Sequence, residues 1–298
     1  MQLHIYYLYY IMNLIIGTSG KIGTYYQKFS KLKNNIYTSR KIKLKNNFKF
    51  DFTKNKFLPF FKKFNFKSVV LFSSISDPMQ CKNNIILSKK VNITYTKKLL
   101  NFLMKNNIYF IFFSSEYIYP GKKNKIYIEK LNYVSKMIYA NQKIQIENYI
   151  KYKKYKNCSI LRISKTYGDN LDDTSIFSNM LSLYKKGQKS FAIADDQYFR
   201  PLFVKDLVKI IDLFLKKKIQ GTYNICGDEY SSRFHFIKNF FKNKKIKDVE
   251  VKKCSIKTFD NMIFFPKYLN LSNKKIKKVI KFNFTQVKHG YKKLCINF

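Results

Sequence analysis

MNLIIGTSGKIG (residues 12–23) places three glycines, Gly17, Gly20 and Gly23, three residues apart directly after an apolar run. The 298-residue chain has only nine glycines, so chance predicts this spacing on the order of 0.01 times in such a chain. A glycine turn between a strand and a helix lets backbone N–H groups approach a pyrophosphate and lets the helix pack closely on the strand. The stretch therefore predicts a dinucleotide-binding turn, with an ordinary strand-turn-helix as the alternative. The predicted binding residues are Gly17, Ser19, Gly20, Lys21, Ile22 and Gly23.

Short apolar segments alternate with longer segments of helical spacing after this turn. The further strand candidates are NIYTS (35–39), SVVLFSS (68–74), IYFIFFSS (108–115) and SILRIS (159–164). The helical candidates are VNITYTKKLLNFLMKN (91–106) and KMIYANQKIQIENYIKYKK (136–154). Strands that alternate with helices in this way are typical of a parallel sheet covered on both faces. The order predicts an α/β fold, a Rossmann-type doubly wound parallel sheet with a smaller C-terminal lobe.

The same alternation of strand and helix candidates suggests the domain boundaries. A strand and glycine turn normally open such a fold, so residues 1–11 are expected to be an N-terminal extension. We expect a dinucleotide-binding Rossmann domain over residues 12–167, with 204–226 returning to it. The rhythm becomes less regular after residue 167, and residues 168–203 and 227–298 are assigned to the second lobe.

The net charge of +42 would normally indicate nucleic acid or an anionic membrane as partner. All but four of the 59 basic residues are lysine, they occur in every segment, and they accompany heavy use of Asn, Ile, Phe and Tyr. We interpret this as an A/T-rich codon bias and expect neither a nucleic-acid partner nor a membrane one. The five cysteines are scattered without a C-x-x-C pair, which indicates reduced thiols and a cytoplasmic protein. The three histidines are far apart, and no metal site is predicted.

The end of the second strand bears on the choice of dinucleotide. An NAD-selective fold places an acid there for the ribose 2′-hydroxyl, whereas this chain has Ser39 and Arg40. A hydroxyl and a guanidinium suit a 2′-phosphate, so NADP(H) is favoured over NAD(H). The alternative is a solvated basic residue, but a lysine-rich chain is expected to keep arginine mainly where its planar fork matters.

Further motifs give the chain a family resemblance. Segments VVLFSSISDPMQCKNN, VNITYT, FFSSEYIYPG, ILRISKTYG, DDQYFRPLFVKDL and GTYNICGDEYSSR follow the glycine turn in order. Together they resemble the extended short-chain dehydrogenases/reductases, and most of all the dTDP-4-dehydrorhamnose reductase family of nucleotide-sugar reductases. The resemblance implies that the C-terminal lobe binds substrate, and it is compatible with a homodimer. Further cofactor-binding residues implied by it are Asp51, Phe52, Ser73, Ser74, Asn92, Tyr139 and Lys143; for Asn92 a helix N-cap is an equal interpretation.

The resemblance also selects one of five Tyr-x-x-x-Lys pairs, a number that composition alone would produce. Only Tyr139 and Lys143 follow the SSEYIYP segment at the family's distance, with Glu147 one turn further on the same helical face. By this likeness Tyr139 is the general acid or base at the substrate carbonyl, and Lys143 lowers its pKa and binds the nicotinamide ribose. Ser115 is implied to hydrogen-bond the carbonyl oxygen.

The residues that follow Ser115 differ from those of related enzyme families, and this difference narrows the set of possible reactions. Dehydratases place two acids after the serine, whereas here Glu116 is followed by Tyr117; epimerase-reductases need a cysteine where Glu116 stands. Reduction of a 4-keto nucleotide sugar by NAD(P)H remains, with hydride from the nicotinamide and a proton from Tyr139. A nucleotide-sugar 4-epimerase is the alternative, and a non-catalytic NADP-binding regulatory subunit is a further one. Glu116, Arg200 and Arg233 are the expected substrate-binding residues; structural salt bridges are the alternative for the two arginines.

Overall fold

The computed structural model describes residues 12–40, 47–51, 61, 66–130, 133–168, 176–259 and 265–294. Its centre is a seven-stranded parallel sheet in the order β12-β7-β5-β4-β1-β2-β3. These strands are β1 (Met12–Ile16), β2 (Asn35–Ser39), β3 (Asn47–Lys49), β4 (Phe66–Leu71), β5 (Tyr109–Ser115), β7 (Cys158–Ile163) and β12 (Gly221–Ile225). The predicted Rossmann-type sheet is therefore confirmed. The order reverses between β1 and β4, and in open α/β sheets ligands bind at the carboxyl ends of the strands at such a point.

The described residues also form α-helices. They are α1 (Lys21–Phe29), α2 (Pro78–Asn83), α3 (Ile85–Lys89), α4 (Thr96–Lys105), α5 (Ile138–Tyr152), α6 (Ile176–Lys185), α7 (Val204–Lys217), α8 (Arg233–Asn243), α9 (Lys274–Ile280) and α10 (Val287–Lys293). The remaining strands are β6 (Ile126–Tyr127), β8 (Thr166–Tyr167), β9 (Ser190–Ala194), β10 (Tyr198–Phe199), β11 (Leu202–Phe203), β13 (Ser231–Ser232), β14 (Glu250–Cys254) and β15 (Asn270–Leu271).

The central strands are buried along their whole length. All five residues of β1 and all seven of β5 are buried, as expected for interior parallel strands. The strand β2 is less completely buried, with half-buried residues at Asn35 and Tyr37. The core beside these strands includes Leu14, Val69 and Phe110, each with no exposed surface.

The predicted helix over 91–106 starts earlier than expected and is irregular. Two short helices, α2 and α3, are capped by the side chains of Asp77 and Asn84. A π-helical turn over Lys90–Tyr95 then leads into α4. A π turn adds a residue to the helical repeat and therefore changes the direction in which its side chains point. Asn92 lies inside this turn.

Contacts among the described residues divide the chain into two compact units. The first unit contains the residues up to Ser114 together with Ile138–Leu161 and Val208–Thr222. The second unit contains Ser115–Met137, Arg162–Leu207 and the residues from Tyr223 onward. Its core is rich in aromatic rings: Phe236 lies 5.5 Å from Phe199 and 5.2 Å from Tyr167, measured between ring centroids. Short strand pairs surround this core, among them β10 with β13 and β9 with β14.

Candidate active site

The glycine turn lies at the point where the sheet order reverses. Gly17 has a φ of +90°, and a Cβ on it would stand 2.7 Å from the backbone nitrogen of Ser73, just after β4. The backbone N–H groups of Gly17 and Thr18 both donate to the carbonyl oxygen of Thr38, at 3.0 Å. Gly17 therefore allows the ends of β1, β2 and β4 to meet closely.

The other two glycines of the turn differ in what they touch. A Cβ on Gly23 would lie 2.6 Å from both the Gly17 oxygen and the Thr18 Cα, so the packing of α1 on the turn requires glycine there. A Cβ on Gly20 would meet only the Gly17 oxygen, at 3.5 Å, which is ordinary contact. Gly20 is exposed, has a φ of −81°, and occupies the N-cap of α1 without a side-chain cap. The fold itself therefore does not require glycine at this position.

The neighbours of Gly20 present the first turn of α1 to solvent. Ser19 is exposed, and Lys21 and Ile22 are half-buried in the first helical turn. The N-terminus of a helix favours negative charge, because its first N–H groups lack helical partners.

The end of β2 carries the residues predicted to choose between the two dinucleotides. Ser39 is buried, and its carbonyl oxygen accepts a hydrogen bond from the Phe50 N–H at 2.9 Å. Arg40 is exposed directly after it, and Asp51 is half-buried after β3. Phe52 and residues 1–11 lie outside the described residues.

The loop after β4 contains Ser73 and Ser74, both half-buried. Ile75, the residue after Ser74, is bonded through its backbone to the side chain of Asn92. The Asn92 Oδ1 accepts from the Ile75 N–H at 2.8 Å, and Nδ2 donates to the Ile75 carbonyl at 2.9 Å. The Asn92 amide therefore supports this loop and does not cap a helix.

Tyr139, Lys143 and Glu147 lie one turn apart along α5, and all three are buried. The Lys143 Nζ lies 5.6 Å from the centroid of the Tyr139 ring and 5.0 Å from that of Phe112. Burial lowers the pKa of Lys143 to about 8, against the opposing effects of Cys81 and Glu147. An ammonium with this pKa is still mostly charged at pH 7, so the helix holds a buried positive charge beside a phenol.

Ser115 ends β5 and belongs to the second unit, whereas Tyr139 and Lys143 belong to the first. The Ser115 Oγ accepts a hydrogen bond from the Tyr117 N–H at 3.2 Å. The structure thus brings the phenol and the ammonium together on one helix. The approach of Ser115 to this pair stays a prediction.

Glu116 is the buried acid of the second unit, with 2% of its surface exposed. Its carboxylate accepts hydrogen bonds from the Ser164 Oγ at 2.5 Å and from the Lys165 N–H at 3.2 Å. Burial raises the pKa of Glu116 to about 7, although these bonds and the positive charges of Lys165 and Arg233 oppose the rise. The group can therefore either accept or donate a hydrogen bond near neutral pH.

A pocket beside Glu116 contains polar atoms that the sequence alone did not identify. The residues that line this pocket include Glu116, Tyr117, Lys165, Gln197 and Arg233. The Gln197 Nε2 donates to the Pro266 carbonyl at 3.0 Å, which orients the amide. Its buried Oε1 and the buried Tyr117 hydroxyl have no hydrogen-bond partner among the described residues. Buried polar atoms in this state are uncommon in folded proteins.

The two arginines predicted to bind substrate have different environments. The Arg200 Nε donates to the Asn270 Oδ1 at 2.8 Å, and its guanidinium also contacts the Asp228 carbonyl. Arg233 is the first residue of α8, and its charge acts on Glu116. Of the two, only Arg233 lines the Glu116 pocket.

Membrane-spanning helices and clusters of metal-binding side chains are absent from the described part of the chain. No helix there is both long and apolar enough to cross a bilayer. The same residues contain no group of three or more His, Cys, Asp or Glu side chains suited to a metal ion.

Several solved structures share this fold at low sequence identity. dTDP-4-dehydrorhamnose reductase from Bacillus anthracis, solved with NADP, is 18% identical, with a TM-score of 0.82 over 96% of this chain and 99% of that one. The orthologous reductase from Clostridium acetobutylicum is 21% identical, with a TM-score of 0.80 over 95% and 98% of the two chains. UDP-glucose 4-epimerase from Thermus thermophilus, solved with NAD, is 16% identical, with a TM-score of 0.80 over 95% and 97%. At these identities the likeness shows the fold alone.

Sequence comparison identifies the family. No curated protein sequence matches this chain significantly, but the family model described as the RmlD substrate binding domain matches residues 12–297. The resemblance found in the sequence motifs is confirmed by this match. Because the match covers nearly the whole chain, the protein belongs to the RmlD family, whose members are NAD(P)-dependent oxidoreductases of the extended short-chain dehydrogenase/reductase type.

Proposed function

We propose that the protein is an NADP(H)-dependent reductase that converts the 4-keto group of a nucleotide sugar to a hydroxyl group. The observation that carries this proposal is the buried pair on α5, where the Lys143 ammonium lies one helical turn from the Tyr139 phenol. Family membership supports it, as does the likeness to a dTDP-4-dehydrorhamnose reductase solved with NADP.

The glycine turn fits a dinucleotide. Packing within the protein requires glycine at Gly17 and Gly23 but leaves Gly20 open. A glycine that the fold does not need, at the exposed start of α1, is explained by the close approach of a pyrophosphate to the backbone. Ser19, Lys21 and Ile22 complete this binding turn in the proposal. When bound, the dinucleotide supplies the hydride.

The preference for NADP(H) rests on the end of β2. Arg40 is exposed and free to reach a 2′-phosphate, and Ser39 precedes it. Asp51 lies after the neighbouring strand, and we assign it to the adenosine end of the site together with Phe52. On the other side of the turn, Ser73 stands close to Gly17, and Ser74 follows it in a loop that Asn92 supports.

Tyr139 is assigned the transfer of a proton to the substrate oxygen. A phenol with an ordinary pKa near 10 is protonated at neutral pH and is a suitable donor. As the proton leaves, negative charge develops on the phenol, and the Lys143 ammonium stabilises that charge. Burial strengthens this interaction because little water screens it. Ser115 is proposed to donate a hydrogen bond to the substrate oxygen.

The second unit is proposed to hold the nucleotide sugar. Arg233 and Glu116 line the same pocket, and a sugar hydroxyl group can donate to a carboxylate and accept from a guanidinium. Arg200 is assigned to the diphosphate, although Asn270 and Asp228 already occupy part of its guanidinium.

The proposal is tested by incubating the protein with NADPH and a panel of 4-keto nucleotide sugars while following cofactor absorbance. Oxidation of NADPH in stoichiometric amounts with one or more sugars is expected. Tyr139→Phe should abolish this turnover and leave NADPH affinity nearly unchanged. Turnover that is undiminished in Tyr139→Phe would remove Tyr139 from the chemistry.

Product analysis separates the alternatives: the protein is also incubated with 4-hydroxy nucleotide sugars, and the sugars are identified after the reaction. A nucleotide-sugar 4-epimerase uses the same three residues, and the fold likeness to a 4-epimerase solved with NAD keeps this reaction as the second candidate. An epimerase would interconvert sugar isomers without net oxidation of NADPH. A non-catalytic regulatory subunit would bind NADPH and show neither reaction.

Cytoplasmic location is proposed from the state of the cysteines. Cys81, Cys158, Cys226 and Cys254 are all free thiols, as expected in a reducing compartment. Homodimer formation and the absence of nucleic-acid binding stay predictions; light scattering and a nucleic-acid gel shift at physiological ionic strength test them.

A further inference from the structure

Gln142 precedes Lys143 on α5 and lies outside every set of residues predicted from the sequence. It is 4% exposed. Its Oε1 accepts a hydrogen bond from the Asn92 Nδ2 at 2.7 Å, and its Nε2 donates to the Ser88 Oγ at 2.9 Å. Both ends of the amide are thus matched to partners of the correct polarity, which fixes its orientation.

Asn92 connects Gln142 to the loop after β4, because it is also bonded to Ile75 in that loop. Asn92 accepts from the Ile75 N–H at 2.8 Å and donates to the Ile75 carbonyl at 2.9 Å, and its Nδ2 lies 3.8 Å from the Cys81 Sγ. Two buried side-chain amides therefore connect Ile75 to the helix that carries Tyr139 and Lys143. Ser73, two residues before Ile75, contacts the glycine turn at Gly17.

We propose that Gln142 is a positioning residue, which fixes the Tyr139 and Lys143 face of α5 against the loop after β4 through Asn92. This inference rests on the proposed reductase function. The bond joins the helix proposed to carry the proton donor to the loop proposed to contact the cofactor. It therefore sets the position of one reacting partner relative to the other.

The chemistry gives this bond a kinetic consequence. Misplacement of reacting groups by about 1 Å can slow a reaction roughly a hundredfold. Without the Gln142 oxygen, one buried Asn92 N–H would keep only the Cys81 Sγ, a weak acceptor at 3.8 Å, and the helix and loop would separate or rotate to relieve it.

Gln142→Met tests the proposal, because methionine keeps the unbranched length and removes both polar atoms. Thr96→Val is the matched control: Thr96 is 2% exposed and its Oγ1 donates to the Val91 carbonyl at 3.1 Å, so the variant loses a buried hydrogen bond whose partner is neither Gln142 nor Asn92. Melting temperature, kcat, the KM for the sugar and the Kd for NADPH are measured for each variant.

We expect Gln142→Met to lower kcat roughly 10-fold to 100-fold while the KM for the sugar changes by less than about twofold. Thr96→Val should lower the melting temperature by a similar amount and leave kcat within about threefold of wild type, since it loses only an ordinary buried hydrogen bond. Equal small effects of the two variants on kcat would reduce Gln142 to a structural role and overturn the proposal.

A double-mutant cycle with Asn92→Ala provides the second measurement. If the two amides act through one bond, the double variant should be little slower than the slower single variant. Multiplicative losses in kcat would show independent roles and overturn the proposal.

Failure of the proposed function has a different signature. If no sugar of the panel supports NADPH oxidation by the wild-type protein, the reductase function is refuted. The double-mutant cycle is then evaluated from the dissociation constants for NADPH. The single variants should each weaken NADPH binding roughly threefold or more, and the double variant should add little. Independent effects on affinity, or none, would again overturn the role of Gln142.

Discussion

Lys143 in the first unit and Glu116 in the second are both buried ionisable groups, and burial moves their pKa values toward neutrality from opposite sides. Burial is the largest cause in both cases: it lowers the pKa of Lys143 to about 8 and raises that of Glu116 to about 7. Removing charge from water disfavours the charged form of either group.

The two groups differ in what remains charged at pH 7. Lys143 stays mostly protonated, and Cys81 and Glu147 nearby favour its charge. Glu116 is close to half-protonated despite bonds from Ser164 and Lys165. The first unit therefore keeps a steady positive charge beside Tyr139, whereas the second keeps an acid that changes state near neutral pH. This difference suits a charge required in every turnover and a group that adjusts to its ligand.

Removal of Lys143 should give the largest effect. Lys143→Met keeps the apolar stem and deletes the charge, so we expect kcat to fall by roughly 10²–10⁴, the usual contribution of a positioned acid-base group. Steady-state NADPH oxidation at pH 6 measures it. Glu116→Gln, which imitates the neutral acid, should stay within about tenfold of wild type under the same conditions. If Lys143→Met had a higher kcat than Glu116→Gln, Glu116 and not Lys143 would be the more important group for turnover.

Glu116→Gln should instead change the dependence of stability on pH. The native acid titrates near 7 and the unfolded acid near its ordinary value of 4.5, so the native state binds more protons between these values. Wild-type stability should therefore fall as pH rises from about 4.5 to about 7 and then level off. The total loss is about 3 kcal/mol at 1.36 kcal/mol for each unit of pKa.

Urea unfolding of wild type and Glu116→Gln at pH 5 and pH 8 measures this effect. The variant should lack the pH-dependent loss, because glutamine has no proton to release. Its stability relative to wild type should rise by about 2.5 kcal/mol between the two pH values, slightly less than the total because pH 5 is already above the unfolded pKa. A constant difference between the two proteins would show that Glu116 is not the group that titrates.

Local patterns were enough to predict the framework of the first unit. The apolar runs and the glycine turn specify β1, β2, β4, β5 and the start of α1 through neighbouring residues alone. The Tyr139 pair needed more than its spacing. Tyr152 has the same relation to Lys156 but is 79% exposed, whereas Tyr139 is 7% exposed.

Contacts between residues far apart in the chain could not be predicted from the sequence. Gln142 and Asn92 are 50 positions apart, and Glu116 and Ser164 are 48 apart. No periodic pattern pairs such polar residues, since each pairing is decided by the tertiary structure. The π turn around Asn92 was missed for the same reason, because its sequence reads as an ordinary amphipathic helix.

The charge on Lys143 should also appear as an alkaline limit on turnover. If proton transfer needs the ammonium, kcat should fall above pH 8 and be about tenfold below its plateau at pH 9. Lys143→Arg is the control, because arginine keeps its charge above pH 12; its rate should be lower but independent of pH over this range. An unchanged alkaline limb in Lys143→Arg would assign the limit to another group, with Tyr139 the first to consider.

Arg40 extends the comparison to a charge at the surface, where water weakens electrostatic effects and the expected change is smallest. Arg40 is exposed at the end of β2, so its loss should cost the fold little. Arg40→Ala should reduce the preference for NADPH over NADH by about tenfold, as expected for a charge-assisted bond to phosphate that solvent partly screens. Fluorescence titration with each cofactor measures the ratio of dissociation constants.

Arg40→Lys decides whether charge or geometry is responsible. A lysine restores the charge but not the planar pair of donors that grips a phosphate. If geometry matters, Arg40→Lys should recover only part of the lost preference. Full recovery would mean that any cation suffices at this position. The rarity of arginine in this lysine-rich chain would then carry no information about Arg40, and the preference for NADP(H) would rest on positive charge at the end of β2 alone.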